Sequence, residues 1–151
     1  MSLPVIECAT LLDLPALSEL LSTLFTQELE FAPNETAQHR GLTRIISNPD
    51  VGVILVAREG SGIVAMVNLL FTVSTALGEP VAILEDMVVT PSARHGGIGT
   101  ALLNHAIELA RNRGVKRITL LTDRDNHAAQ RFYARHGFTE STMLPMRLSI
   151  G

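Results

Sequence analysis

Three groups of residues in this chain have the types and spacing for chemistry. The first is Arg94-His95-Gly96-Gly97-Ile98-Gly99-Thr100, with glycines set between an apolar, β-branched run and a helical repeat. Glycines there free backbone N–H groups and let a ligand approach the main chain, while the helix start adds the positive end of its dipole. Such a loop suits an anion, above all a phosphate or pyrophosphate. The second group is Glu85-Asp86, two carboxylates inside the apolar run 81–89. Burial of a carboxylate without a partner is costly, so the pair needs a reason, and taking up a proton is one. The third is Asn126-His-Ala-Ala129-Gln-Arg-Phe132-Tyr133, followed by Gly137-Phe138. It holds the only tyrosine of the chain, a phenol able to give a proton if positioned for it.

The elements that must position these groups follow from periodicity. Residues 81–89 form a strand that stops at Thr90-Pro91-Ser92. Ile98, Leu102, Ala106, Leu109 and Ala110 then recur at helical spacing up to Gly114, a natural C′ residue. A strand over 117–122, a helix over about 127–136 and a closing extended stretch over 143–150 complete this half. Upstream, residues 5–9 open with a short strand. Asp13 is placed to cap a helix with Pro15 in its first turn, and Leu14, Leu17, Leu20, Leu21 and Leu24 give its stripe to about Phe25. A break at residues 31–34 precedes a second helix over 36–46. Strands over 51–58 and 63–73 are joined at Glu59-Gly60-Ser61-Gly62, a hairpin signal, and Leu77 to Pro80 marks the next turn. Hairpins followed by a βαβα unit predict an α/β fold, one domain over residues 1–151 with a mixed, partly parallel central sheet flanked by helices.

The loop is neither of two common phosphate-binding signatures. No lysine follows its glycines, and Leu102 stands where a dinucleotide fingerprint has its third glycine. It resembles instead the coenzyme A loop of the GNAT superfamily of N-acetyltransferases, Arg/Gln-x-x-Gly-x-Gly/Ala, with Arg94, Gly97 and Gly99 in the fixed places. The third group resembles the family's second cofactor segment, Asn-x-x-Ala-x-x-Phe-Tyr ending in Gly-Phe, and a strand lies between the two as in the family. The resemblance is close over about residues 81–150 and rests on element order alone before that.

The resemblance implies acetyl-CoA as co-substrate and a primary amine of a small molecule as acceptor, acetylated by direct attack. It implies that backbone donors of His95, Gly96, Gly97, Ile98, Gly99 and Thr100 hold the pyrophosphate, with Arg94 adding charge nearby. Met87, Val88 and Val89 would pair with the pantetheine arm as a substitute strand. Tyr133 would protonate the leaving thiolate, and Asn126 would either contact the coenzyme or cap the helix after it. Adjacent strand residues face opposite ways, so only one of Glu85 and Asp86 is expected at the site. Family members that read Leu-Glu-Asp resemble Leu84-Glu85-Asp86 and favour the glutamate, which leaves Asp86 a structural hydrogen bond on the other face. The family's two early helices and their connection usually line the acceptor site, making Glu28, Glu30, Phe31 and Glu35 candidate contacts. A non-catalytic acyl-CoA-binding or regulatory module is the second function class. Polyamine, amino sugar, amino acid and protein N-terminus all stay open as acceptors, and dimers are common in the family.

Composition narrows the partners. Five Phe, one Tyr, no Trp and a net charge of −3 among 151 residues give no basic or aromatic face for nucleic acid. Histidines at 39, 95, 105, 127 and 136 form no i,i+4 pair, so no metal site is expected. No apolar run reaches membrane-span length, and Met1-Ser-Leu-Pro lacks the features of a signal peptide. Cys8 is the only cysteine, which suits a reducing cytoplasm, and its place in the first apolar strand predicts a small core residue.

Overall fold

In the computed structural model, which describes residues 4–28 and 32–151, the hydrophobic runs form one five-stranded sheet. Its strands are β1 (Val5–Cys8), β2 (Gly52–Glu59), β3 (Gly62–Ser74), β4 (Glu79–Val89) and β5 (Ile118–Leu120), side by side in chain order. The first four run antiparallel, whereas β4 and β5 are parallel. Parallel neighbours need a crossover, and helix α3 (Ile98–Asn112) supplies it. The mixed α/β architecture predicted from the sequence is therefore the one that forms, with element ends shifted by a few residues. Two further helices, α1 (Leu14–Gln27) and α2 (Glu35–Ile46), precede the hairpin, and α4 (His127–Arg135) follows β5.

The chain divides into two compact units, Met1–Leu121 and Thr122–Gly151. In the first, β2 is buried at each position from Gly52 to Ala57, the pattern of a strand covered on both faces. Leu17, Leu20 and Leu21 of α1 and Leu42 of α2 pack with Ile54, Val56, Met66 and Val88 of the sheet. The alternate residue Leu55 points the other way and borders His105 and Leu109 of α3. Leu102, Leu103 and Ala106 of α3 are fully buried. Between α1 and α2 a buried polar clamp sets the spacing. Gln38 Nε2 donates to Ser18 O (2.9 Å), Ser18 Oγ (3.0 Å) and Ser22 Oγ (3.1 Å), and Gln38 Oε1 accepts from Asn34 N–H (2.7 Å). Asn34 caps α2 by accepting from Ala37 N–H at 3.1 Å.

Three local expectations change. Cys8 is exposed rather than buried, because β1 is an edge strand that pairs only with β2. Asp13 does not cap α1 with its side chain. Its carboxylate turns instead to Thr10 N–H (2.8 Å) and to a two-pronged contact with Arg58, Nη1 at 3.0 Å and Nη2 at 2.8 Å. Arg58 comes from β2, so a partner distant in sequence outcompetes the local cap. Finally, residues 143–150 join no strand ladder, and Met146 and Ile150 are each 94% exposed. Among the described residues no helix is long and apolar enough to cross a membrane.

Candidate active site

The glycine loop leaves β4 through a short 3-10 turn (Pro91–Ala93) and enters α3 at Gly97. Two residues there are left-handed, His95 at φ 69° and Gly97 at φ 83°. Glycine takes that conformation freely, whereas a histidine in it is uncommon and strained. The backbone N–H groups of residues 95–100 donate to no acceptor among the described residues. Successive free donors at a helix start form a concavity for an anion. Arg94 turns back along the loop, its Nε donating to Val89 O at 3.0 Å, which leaves it structural as well as charged.

Upstream of the loop, β4 is paired unevenly. It meets β5 only at Ala82, Ile83 and Leu84, so residues 85–89 have a strand neighbour on the β3 side alone, with Val89 O taken by Arg94 Nε. Met87, Val88 and Val89 therefore lie on an open strand edge, the geometry a peptide-like arm needs. Where the pairing to β5 stops, the pairing to β3 shifts as well. Asn68 opposes Asp86 and Leu69 opposes Leu84, which leaves Glu85 without a register partner. This bulge overturns the expectation that only one acidic residue faces the site. An extra residue breaks the two-residue alternation, and Glu85 and Asp86 both line one cavity.

That cavity, about 300 Å³, lies between α1, α2 and the sheet. Leu21, Phe25, Leu42, Ile45 and Leu70 supply its apolar wall. Asn68 is 2% exposed and reaches Asp86, its Nδ2 donating to Oδ2 at 3.0 Å. Burial pushes the Asp86 carboxyl above the ordinary aspartate value; the Asn68 bond opposes this and the neighbouring Glu85 charge adds to it. A carboxylate held in that state is a better proton acceptor than one in water. Of the sequence candidates on the early helices, Glu28 and Glu35 are not part of the wall. Glu35 lies instead 3.7 Å from His39, and Glu30 and Phe31 fall outside the described residues.

In the second unit, α4 is fixed at both ends by its own sequence. Asn126 accepts from Ala129 N–H at 3.0 Å, so it is the N-cap. Gly137, at φ 96°, ends the helix, with Gly137 N–H on Ala134 O and Phe138 N–H on Tyr133 O, both 3.1 Å. This is a Schellman motif, and the accompanying contact sets the Tyr133 and Phe138 rings 5.6 Å apart, edge to face. Tyr133 is half-buried, and burial pushes its phenol up to about 12. Its hydroxyl makes no hydrogen bond to any described residue.

Sequence reasoning missed Asn68, Gln38 and Gly41. Asn68 carries a weak signal, a polar residue inside the apolar run 63–73. Gly41 also carries one, a glycine in the middle of a helical pattern. Among the described residues no group of three or more His, Cys, Asp or Glu side chains is arranged to hold a metal ion.

Comparison with known proteins places these features in a family. The model of the acetyltransferase (GNAT) family matches residues 14–138. An aminoalkylphosphonate N-acetyltransferase of Salmonella typhimurium is 30% identical over 141 residues, covering 92% of this chain and 88% of that protein. An uncharacterized N-acetyltransferase of Bacillus subtilis is 36% identical over 90 residues, 60% of each chain, so the match spans less than two thirds of that relative. Against a solved structure described as a probable acetyltransferase the TM-score is 0.83, with 26% identity over 97% of this chain and 98% of the other. With the family match running through the strand, the loop and the Phe132-Tyr133 segment, the chain belongs to the GNAT family of acetyltransferases.

Proposed function

We propose that this chain is an acetyl-CoA-dependent N-acetyltransferase that acts on a primary amine of a small molecule by direct attack. The observation that carries this is the continuity of β4. Its bulge puts two carboxylates on a cavity, its next three residues form an open edge, and its end leads into a loop of unpaired donors. The family match runs from residue 14 to 138, through both units, and supports residues 1–151 as one acetyltransferase domain.

The residues present fit the co-substrate. Free N–H groups of residues 95–100 suit its pyrophosphate, and the edge at Met87, Val88 and Val89 suits its amide-bearing arm. Asn126, its side-chain oxygen taken by Ala129 N–H, has its Nδ2 left for a coenzyme contact. When bound, acetyl-CoA supplies the activated acetyl group as a thioester. Glu85 takes the proton from the acceptor's nitrogen, directly or through water, and Asp86 beside it holds the ammonium before that step. Tyr133 keeps the proton on its phenol oxygen for the departing sulfur. The name of the Salmonella relative likewise specifies a small molecule that carries an amine, with a phosphonate beside it. A cytoplasmic setting suits the exposed Cys8, which has no second cysteine to pair with.

Mixing the purified protein with acetyl-CoA and a panel of amines, and following free thiol, tests the proposal. Thiol release that depends on an amine supports it. Coenzyme binding without release under any amine supports the non-catalytic module instead.

A further inference from the structure

The cavity that holds Glu85 and Asp86 is one-sided in its chemistry. Phe25, Leu42, Ile45 and Leu70 form an apolar wall, and the described lining residues include no lysine, arginine or histidine. Of the other polar lining residues, Gln38 and Asn34 are committed to the α1–α2 clamp and the α2 cap. What is left uncommitted is mostly acceptors: the Glu85 carboxylate, Asp86 Oδ1 and Asn68 Oδ1, which is buried and has no partner, against one neutral donor, the Asn34 Nδ2. Such a surface welcomes N–H donors at one end and nothing polar at the other, since charge against an apolar wall is costly.

A second observation concerns room. Gly41 lies inside α2, where glycine is less favourable than alanine, yet a Cβ built there meets nothing within 4 Å. Gly41 lines the cavity, so the missing side chain widens it. At about 300 Å³ the space equals roughly ten waters of ~30 Å³ each, enough for an ammonium and a substituent of several carbons.

We infer that the acceptor is a monoamine with an apolar substituent, its ammonium against Asp86 and Glu85 and its substituent along Phe25, Leu42 and Ile45, with Gly41 setting the length admitted. The inference rests on the proposed amine acceptor. It disfavours amines with a second charge at the far end: polyamines by a cation that finds no further carboxylate among the described lining residues, amino acids and aminophosphonates by an anion that finds no cation among them.

Calorimetry on the full chain, with and without coenzyme A, tests this with hexylamine, 1,6-diaminohexane, 6-aminohexanoate and 2-aminoethylphosphonate. Hexylamine is expected to bind at least tenfold more tightly than the other three. Affinity should rise up to about fourfold per methylene from ethylamine to hexylamine. In Gly41→Leu, checked for helix content, the ratio of hexylamine to ethylamine affinity should collapse at least fivefold. Equal or tighter binding of any doubly charged compound, no alkylamine binding, or an unchanged ratio in folded Gly41→Leu overturns the inference. Hexylamine binding as described, but without thiol release from acetyl-CoA, leaves the inference standing and overturns the enzymatic proposal instead.

Discussion

Asn68 Nδ2 donates to Asp86 Oδ2 at 3.0 Å across the β3–β4 pair, directly where the register of that pair shifts. This bond holds a desolvated carboxylate at the cavity wall, and it opposes the rise that burial imposes on the Asp86 proton affinity. The folded protein thus binds that proton more tightly than the unfolded chain. Stability falls as pH rises from the ordinary aspartate value of about 3.9 through the higher folded value, and it stays lower above. Asp86→Asn keeps the shape and removes the buried charge. At pH 7 it should raise the melting temperature by about 2–4 °C, the equivalent of about 1 kcal/mol in a chain of this size, and the gain should vanish near pH 3. Thermal scans at both pH values decide it; a variant less stable than the parent at pH 7 shows that the charge contributes favourably to folding.

Asp13 should behave in the opposite sense. Hydrogen bonds from Arg58 hold its carboxyl below the usual aspartate range, with Thr10 N–H contributing and burial opposing. A depressed folded value means stability that is present above the unfolded value and is lost as pH falls through the folded one. Asp13→Asn should therefore cost about 1.5–3 kcal/mol at pH 7, the range for hydrogen bonds to charged groups. The difference from the parent should shrink below pH 4. Denaturant titrations at pH 7 and pH 3.5 measure it, and equal differences at the two values mean the contact is not electrostatic.

The loop prediction concerns Gly97, left-handed at φ 83° with open space around any added Cβ. Gly97→Glu should keep the fold, at a cost of about 1–2 kcal/mol for the backbone conformation. It should abolish coenzyme A binding, because a carboxylate then occupies the donor concavity. Calorimetry that finds coenzyme affinity retained in the folded variant moves the pyrophosphate elsewhere.

How much of this was legible in the sequence depends on the range of the interaction. Helix ends written in local chemistry were readable: Asn126 and Gly114 act as the cap and C′ residues their types suggest. The hairpin at Gly60-Ser61 and the strand-loop-helix around Gly97 were readable for the same reason. What was not readable lies in tertiary pairing. The bulge at Glu85 depends on how β4 docks on β3; alternation allows one carboxylate at the site, the family resemblance favours Glu85, and Asp86 then falls to the far face. Asp13 is claimed by Arg58, forty-five residues away, and not by its own helix. Cys8 belongs to an apolar strand, but edge position rather than residue type decides its exposure.

Tyr133→Phe removes one oxygen and keeps the edge-to-face contacts with Phe132 (5.3 Å) and Phe138 (5.6 Å), so stability should hardly change. Turnover should fall by about 10²–10⁴-fold, the scale of a lost general acid, with coenzyme binding intact. Because burial pushes the phenol up to about 12, Tyr133 stays protonated across the working range. The parent should therefore show no alkaline fall in rate from this group below about pH 10. Unchanged turnover in Tyr133→Phe assigns the proton to water.

The last prediction separates the two carboxylates, which the bulge brings to one cavity. The attacking nitrogen must be a neutral amine, while an alkyl ammonium dominates at pH 7. If Glu85 takes that proton, Glu85→Gln keeps the side-chain shape and loses the base. Its rate should fall most at low pH and recover in part as pH rises, because solvent then supplies free amine. Asp86, held by Asn68, is assigned the ammonium, so Asp86→Asn should raise the acceptor KM about tenfold and leave kcat within a few-fold. Asn68→Leu removes the donor that fixes Asp86 and should move the same parameter in the same direction, while Glu85→Gln combined with Asp86→Asn should show both defects. A structural role alone moves neither pH profile nor KM, only the melting temperature. Full pH profiles of kcat and kcat/KM for the three single variants distinguish these outcomes. A low-pH rate defect larger in Asp86→Asn than in Glu85→Gln makes the buried aspartate the base and gives the ammonium to Glu85.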